Sequence, residues 1–151
     1  EMLVIHTNGI HKVTAVFCCC LHAAEFRQQL MRYAWWPATS TDPYTCATFS
    51  VLHQFHHLNL QGKLPAYNFY KLLENMTNSW KTECIPDHLA FFMLIMCQWW
   101  HIKSLRRASR AFHASSAAGT REGELAIPCR ACPHPGINLP DGWEHAPPET
   151  A

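Results

Sequence analysis

The chain opens on two short runs, residues 2 to 7 and 10 to 17, that are rich in Val, Ile, Thr and Phe, a composition suited to strands. Between them stands Asn8-Gly9, the dipeptide that best tolerates the positive φ values of a type I′ turn. The pattern predicts a β-hairpin. Its second strand sets His11, Val13, Ala15 and Phe17 on one face and Lys12, Thr14 and Val16 on the other, and it runs directly into Cys18-Cys19-Cys20.

The apolar period then lengthens to three or four. Ala23, Phe26, Leu30 and Tyr33, interleaved with Glu25, Arg27, Gln28 and Arg32, predict a helix from His22 to about Trp35 that Pro37 stops. After a polar loop with Ser40, Thr41, Asp42 and Pro43, a second helix is predicted over 48–60 on the stripe Val51, Leu52, Phe55 and Leu58, with Gly62 at its end. A third opens near Pro65 and runs to about Thr77, using Tyr67, Tyr70, Leu72 and Leu73. The longest opens at Pro86-Asp87 and continues past Trp100 towards Phe112, on Leu89, Phe92, Met93, Met96, Cys97 and Trp100. Residues 114 to 123 form a small-residue linker, and Glu124 to Ile127 read as one short strand entering a second cysteine pair. The fold expected is α+β and mainly helical, with an N-terminal β-hairpin, three to four helices and a C-terminal cysteine knuckle. Its expected divisions are a hairpin and cluster end over 1–22, a helical region over 23–113, a linker over 114–123 and a Cys-x-x-Cys segment over 124–151.

Composition narrows the setting. At 151 residues the chain suits one domain or part of one. Its formal net charge of +1 leaves no whole-chain electrostatic case for nucleic acid, so any such case is local. The first 20 residues lack the layout of a secretory signal. The longest apolar run, Leu89 to Cys97 with Trp99 and Trp100 just beyond it, is shorter than the roughly 20 residues of a spanning helix. These features favour a soluble chain without a membrane partner in a reducing, intracellular setting, where the eight cysteines serve as metal ligands or free thiols. A start at Glu1 and the tail Ala146-Pro147-Pro148-Glu149 suggest a segment of something longer.

The sharpest candidate chemistry is Cys129-Arg130-Ala131-Cys132, two thiols at the spacing that grips one zinc ion. A structural zinc needs four ligands, and Cys18 and Cys20 are the upstream candidates, with Cys19 facing away from them and His11 in reserve. One shared ion and two incomplete sites both fit the spacing. A thioredoxin-like redox pair fits poorly, since Pro133 and Pro135 keep the following chain extended where that motif opens a helix. A zinc deaminase fits poorly too. Pro128-Cys129 to Cys132 matches half of that signature, but His22-Ala23-Ala24-Glu25 is one residue too long to supply the ligand and proton shuttle. His53 and His57 have a chelating spacing without the glutamate of a zinc protease, and read as helix-face histidines. Lys103, Arg106, Arg107 and Arg110 fall on one helical face with no acid among residues 101 to 110. Contact with DNA phosphates and a merely solvated helix end both suit that face.

Taken in order, His6-Thr7-Asn8-Gly9-Ile10-His11, Phe17-Cys18 with Cys20, Trp36-Pro37-Ala38-Thr39, Leu60-Gln61-Gly62-Lys63 and Tyr67-Asn68-Phe69-Tyr70 form a recognisable series. Gln98-Trp99, Gly123-Glu124-Leu125-Ala126 and Cys129 to Cys132 followed by Pro133-His134-Pro135-Gly136-Ile137-Asn138-Leu139-Pro140 complete it. From about His6 to Trp143 the chain resembles the CxC-like cysteine-cluster region that precedes the catalytic part of KDZ (Kyakuja–Dileera–Zisupton) transposases of fungal mobile elements. The resemblance implies a zinc-chelating, DNA-associated accessory region that is itself non-catalytic and nuclear. It further implies two partners, DNA and the catalytic domain of the same transposase, an RNase H-like fold expected beyond Asn138-Leu139-Pro140. The alternative is a protein-interaction module of the transposase with no direct DNA contact. Two features depart from the family pattern: Trp100 and residues 109–118 lack its arginine and glycine-rich basic character, and Cys19 adds a competing thiol.

Overall fold

The computed structural model describes residues 1–80, 85–112, 114–127, 129–139 and 141–145. It divides into two units, residues 1–103 and 104–151.

The first unit is an α+β body that opens, as expected, on a hairpin. Strand β1 (Met2–His6) pairs antiparallel with β2 (Gly9–Val13), and His6 opposite Gly9 leaves Thr7 and Asn8 as the two-residue loop. The turn therefore sits one residue earlier than Asn8-Gly9 implies. Gly9 has a different duty: at φ +141, a Cβ there would come within 2.6 Å of Thr77 Oγ1. The same hydroxyl accepts the Ile10 N–H at 2.7 Å, so the bare glycine lets a helix end close on the hairpin. Residues 14–17 lie beyond the last register pair, Met2 opposite Val13, and keep their alternating exposure without extending the ladder.

Two strands were not foreseen. Helix α1 covers only Phe26–Arg32, and Ala34 at φ +58 turns the chain into strand β3 (Trp35–Pro37). Strand β4 (Thr45–Thr48) follows, giving the sheet order β2-β1-β4-β3 with β4 parallel to β1. All four residues of β4 are buried, so they show no alternation to read. The helix predicted over 22–35 thus merges a short helix with an edge strand.

Thr48 closes β4 and caps helix α2 (Phe49–Gly62), its side chain accepting from the Val51 N–H. Lys63, at φ 52, takes the left-handed position expected of Gly62. Helix α3 (Ala66–Thr77) starts behind Pro65, as the sequence implies. Helix α4 (Leu89–Arg107) begins where Asp87 Oδ1 accepts the Leu89 N–H at 3.0 Å, and it ends five residues short of Phe112. Ser109 at φ +58 marks that stop, and Arg110–Phe112 form a separate 3-10 turn.

Met2 to Ile5 of β1 are all buried because each face of the strand meets a different cluster. Leu3 and Ile5 join Val51, Leu52, Phe55, Phe69, Leu73, Phe92, Ile95 and Met96 in the main core, while Met2 and Val4 pack with Leu30 of α1 and Cys46 of β4. Phe92 anchors the main core, with ring centroids 5.4 Å from Phe55 and 5.9 Å from Phe69.

The second unit holds further 3-10 turns at Ser116–Gly119 and Trp143–His145. Residues 124–127, expected as a strand, carry turn bonds instead, including Ala126 N–H to Gly123 O at 2.9 Å. Gly123 at φ +76 starts that reversal.

Candidate functional site

The hairpin and α1 together fix the first cysteines. Phe17 stacks on Phe26 at 4.6 Å, which brings the end of the β2 segment against the start of α1. From one turn further along α1, Gln29 reaches back. Its Oε1 accepts the Cys18 N–H at 2.9 Å, and its Nε2 donates to Cys18 O at 3.0 Å and to Ala24 O at 2.7 Å. One amide side chain thereby holds both backbone groups of Cys18. No spacing rule pointed to Gln29, because it lies on the helix as an ordinary polar position.

Cys18 and Cys20 present their sulfurs together, Sγ to Sγ at 3.2 Å, on the exposed side of this clamp. Cys19 Sγ turns towards Phe17 O at 3.7 Å, in keeping with its opposite facing. The Cys20 backbone N–H, and then the Cys20 side chain, lower the Cys18 thiol below its ordinary value. Thiolates around zinc at bond lengths of about 2.3 Å stand about 3.8 Å apart in a tetrahedron. The pair needs only a sub-ångström separation to offer two of four ligands. His11, the reserve ligand, is engaged with Asn8, Nε2 to Oδ1 at 2.9 Å.

The late cysteines lie in the second unit, in a turn closed by Cys132 N–H to Cys129 O at 3.2 Å. The Ala131 N–H, the Cys132 thiol and the Cys132 N–H all act on Cys129 to lower its pKa. Amides aimed at the first sulfur stabilise it as thiolate, the form a metal takes. Two residues outside the cysteine spacing brace the turn. Asn138 Nδ2 donates to Cys132 O at 2.9 Å and its Oδ1 accepts the His134 N–H, while His134 Nε2 meets Cys129 O at 2.8 Å. Among the described residues no group of three or more His, Cys, Asp or Glu stands close enough to hold one metal ion. Cys18 and Cys20 belong to the first unit and Cys129 and Cys132 to the second. Cys46 differs from both, since it is fully buried and burial pushes its thiol up to about 12.

The basic residues separate as well. Lys103 lies on α4 with Nζ 5.3 Å from the centre of the Trp99 ring. Trp99 itself is buried in the main core. Arg106 and Arg107 are exposed in the last turn of α4, and Arg107 Nη2 donates to Leu125 O at 3.3 Å. Arg110 lies past the helix and is ion-paired with Glu124, its side chain only 11% exposed. A single helical face bearing all four charges therefore does not form.

No helix among the described residues is long and apolar enough to cross a membrane. No curated protein and no solved structure gives a significant match to the chain. One family model matches, over residues 1–81, and it takes in the hairpin, Cys18 to Cys20, Gln29, the four-stranded sheet, α2 and α3. Cys129, Cys132 and the basic end of α4 lie beyond that span. The chain belongs to the family of CxC2-like cysteine clusters associated with KDZ transposases.

Proposed function

We propose that this chain is a non-catalytic, zinc-chelating and DNA-associated accessory region of a KDZ-type transposase, acting in the nucleus beside the catalytic domain of the same protein. The observation that carries the metal reading is the Cys18–Cys20 pair. Its sulfurs lie 3.2 Å apart, in a backbone clamped by Gln29, within the part of the chain that the family matches. Cys129 and Cys132 form a second donor pair with a thiolate-stabilising turn. When bound, zinc would supply a fixed tetrahedral crosslink and no reaction. The remaining positions of each tetrahedron fall to other ligands, among which His11 would first have to leave Asn8. Charge-assisted contacts to DNA phosphates are assigned to Arg106, Arg107 and Lys103, with Arg110 released from Glu124 only at the expense of that ion pair.

Zinc content per chain tests the metal reading, measured on the wild type, on Cys18→Ser/Cys20→Ser and on Cys129→Ser/Cys132→Ser. Loss of bound zinc in either double variant supports the corresponding pair, and a wild type purified without zinc at micromolar supply refutes it. Duplex DNA binding across a salt series tests the other half. Binding that weakens steeply with salt supports phosphate contact.

A second reading, a module that docks another part of the transposase without touching DNA, has its own observation. Helix α4 leaves Phe91, Leu94 and Ile102 exposed while Phe92, Ile95, Met96 and Trp99 are buried. Absence of DNA binding at low salt favours it.

A further inference from the structure

Helices α2 and α4 contain no Asp or Glu, and the carboxylate-free stretches around them extend over 43–73 and 88–121. Within the first unit these two helices bring two basic side chains to one indole and set a third beside the first. The His53 ring meets Trp99 edge-on at 5.1 Å, His57 lies 6.4 Å from His53 one turn along α2, and Lys103 Nζ stands 5.3 Å from the same Trp99. His53 and His57 are exposed, so their charge is open to a partner. His56, the third histidine of α2, is half-buried, and its Nδ1 accepts from Trp100 Nε1 at 3.0 Å, which commits it to the neutral form.

We propose that this α2–α4 face is a contact surface for nucleic-acid backbone phosphates, made by His53, His57 and Lys103, whose affinity rises as pH falls through the histidine range. The inference rests on the DNA reading above and adds to its Lys103 contact two histidines on α2 and a regulation by pH. Charge complementarity selects the partner. Three cationic groups without a local carboxylate repel one another, and a phosphate placed between them relieves that repulsion.

The titration supports the geometry. Burial comes first, then Lys103 on α4 and His57 on α2, in holding His53 below the ordinary imidazole range. The same three causes act on His56, with His53 added, and no carboxylate contributes to either. A bound phosphate reverses the Coulombic part of that shift, so protonation and phosphate binding favour each other. The slope cannot exceed about one decade of affinity per pH unit for each linked proton.

Anisotropy of a labelled duplex at constant ionic strength, read from about pH 7.5 to about pH 5.5, provides the test. For the wild type we expect binding to tighten about tenfold or more, and for His53→Gln/His57→Gln that dependence to be lost with the circular dichroism unchanged. Arg106→Ala/Arg107→Ala should bind more weakly at every pH yet keep the slope. In parallel, inorganic phosphate added to the wild type should raise the NMR titration midpoints of the His53 and His57 rings. A slope that survives in the histidine variant, or that vanishes instead in His101→Gln, overturns the proposal. So does a response abolished by a chelator, which would make the histidine pair a metal site. Binding without pH dependence defeats this inference alone. Absence of duplex binding at all pH values defeats the DNA reading as well, although the phosphate midpoints still report on the surface itself.

Discussion

Replacing Gly9 by Ala tests the contact on which the hairpin and α3 depend. At φ +141 an L-residue is strained whatever the space, a penalty on the order of 1–3 kcal/mol. The added Cβ would also stand 2.6 Å from Thr77 Oγ1, so that hydroxyl must move and release the Ile10 N–H it accepts at 2.7 Å. Losing that bond costs about 1–2 kcal/mol more, for a total of about 2–5 kcal/mol. That is a large share of the roughly 5–15 kcal/mol typical of a small domain. Thr77→Ala alone forfeits the Ile10 bond and the hydroxyl's own donation to Leu73 O at 2.8 Å, and should cost about 1–2 kcal/mol. In the double variant the oxygen is gone and the new Cβ meets the residue 77 Cβ at 3.5 Å, an ordinary contact. The Ile10 bond is then lost once rather than twice, so the pair should fall short of additivity by about 1 kcal/mol or more. Urea unfolding of the four proteins, followed by tryptophan fluorescence, gives the cycle. A cost below about 0.5 kcal/mol for Gly9→Ala, or strictly additive variants, would refute the account of why this position is glycine.

Further outcomes follow from the same packing. Phe92→Ala removes a fully buried ring that meets Phe55, Phe69 and Tyr70, and should lower unfolding free energy by about 3–5 kcal/mol in the same assay. Alkylation near pH 7, resolved by peptide mass spectrometry, should label Cys18 and Cys129 first and Cys46 at least about a hundredfold more slowly, since burial pushes Cys46 to about 12. Labelling of Cys46 at a comparable rate would show β4 opening to solvent. The folded His53 and His56 lie below the ordinary 6.5, so the unfolded chain takes up more protons as pH drops. Their contribution is complete above 6.5 and declines below it, which predicts a lower Tm at about pH 5.5 than at about pH 7.5. His56→Gln, which can still accept from Trp100 through its amide oxygen, should narrow that difference.

Sequence patterning identified the elements whose two faces differ. Strand β2, α2 and α3 carry an exposed side and a buried side, and their places in the chain are legible, but Tyr67 and Leu72 of α3 and Met93 and Cys97 of α4, expected in the buried stripes, are exposed, while Phe69, Ile95 and Trp99 fill them. Strand β4 was not legible, because burial on both faces erases alternation. Strand β3 was lost for a different reason: Tyr33 continues the helical spacing of Phe26 and Leu30, and only the left-handed turn at Ala34 reveals the break. Cysteine spacing singles out both pairs as candidates, but the polar groups that brace their backbones, Gln29 for Cys18 and Asn138 with His134 for Cys129 and Cys132, act through contacts that spacing does not encode. The basic series failed at Arg110 because periodicity assumes an uninterrupted helix, and α4 ends at Arg107.

The placement of the sulfurs bears on what a metal could do here. Small zinc modules commonly unfold when the ion is removed, because the ion replaces a hydrophobic core they lack. The first unit has its own core, and neither Cys18 nor Cys20 belongs to it: both are exposed, and Cys46 is the core thiol. On the zinc reading, the ion then organises the exposed turn after β2 and leaves the sheet and α2–α4 to fold unaided. Chelation should accordingly leave the far-UV spectrum of the body and its cooperative melt within a few degrees of the loaded protein, roughly the effect of 1 kcal/mol or less. The change should appear instead as faster alkylation of Cys18 and Cys20, and Gln29→Ala should weaken zinc retention without a matching loss of helix. Global unfolding on chelation would reverse this order, making the metal a condition of the core rather than a clamp on its surface.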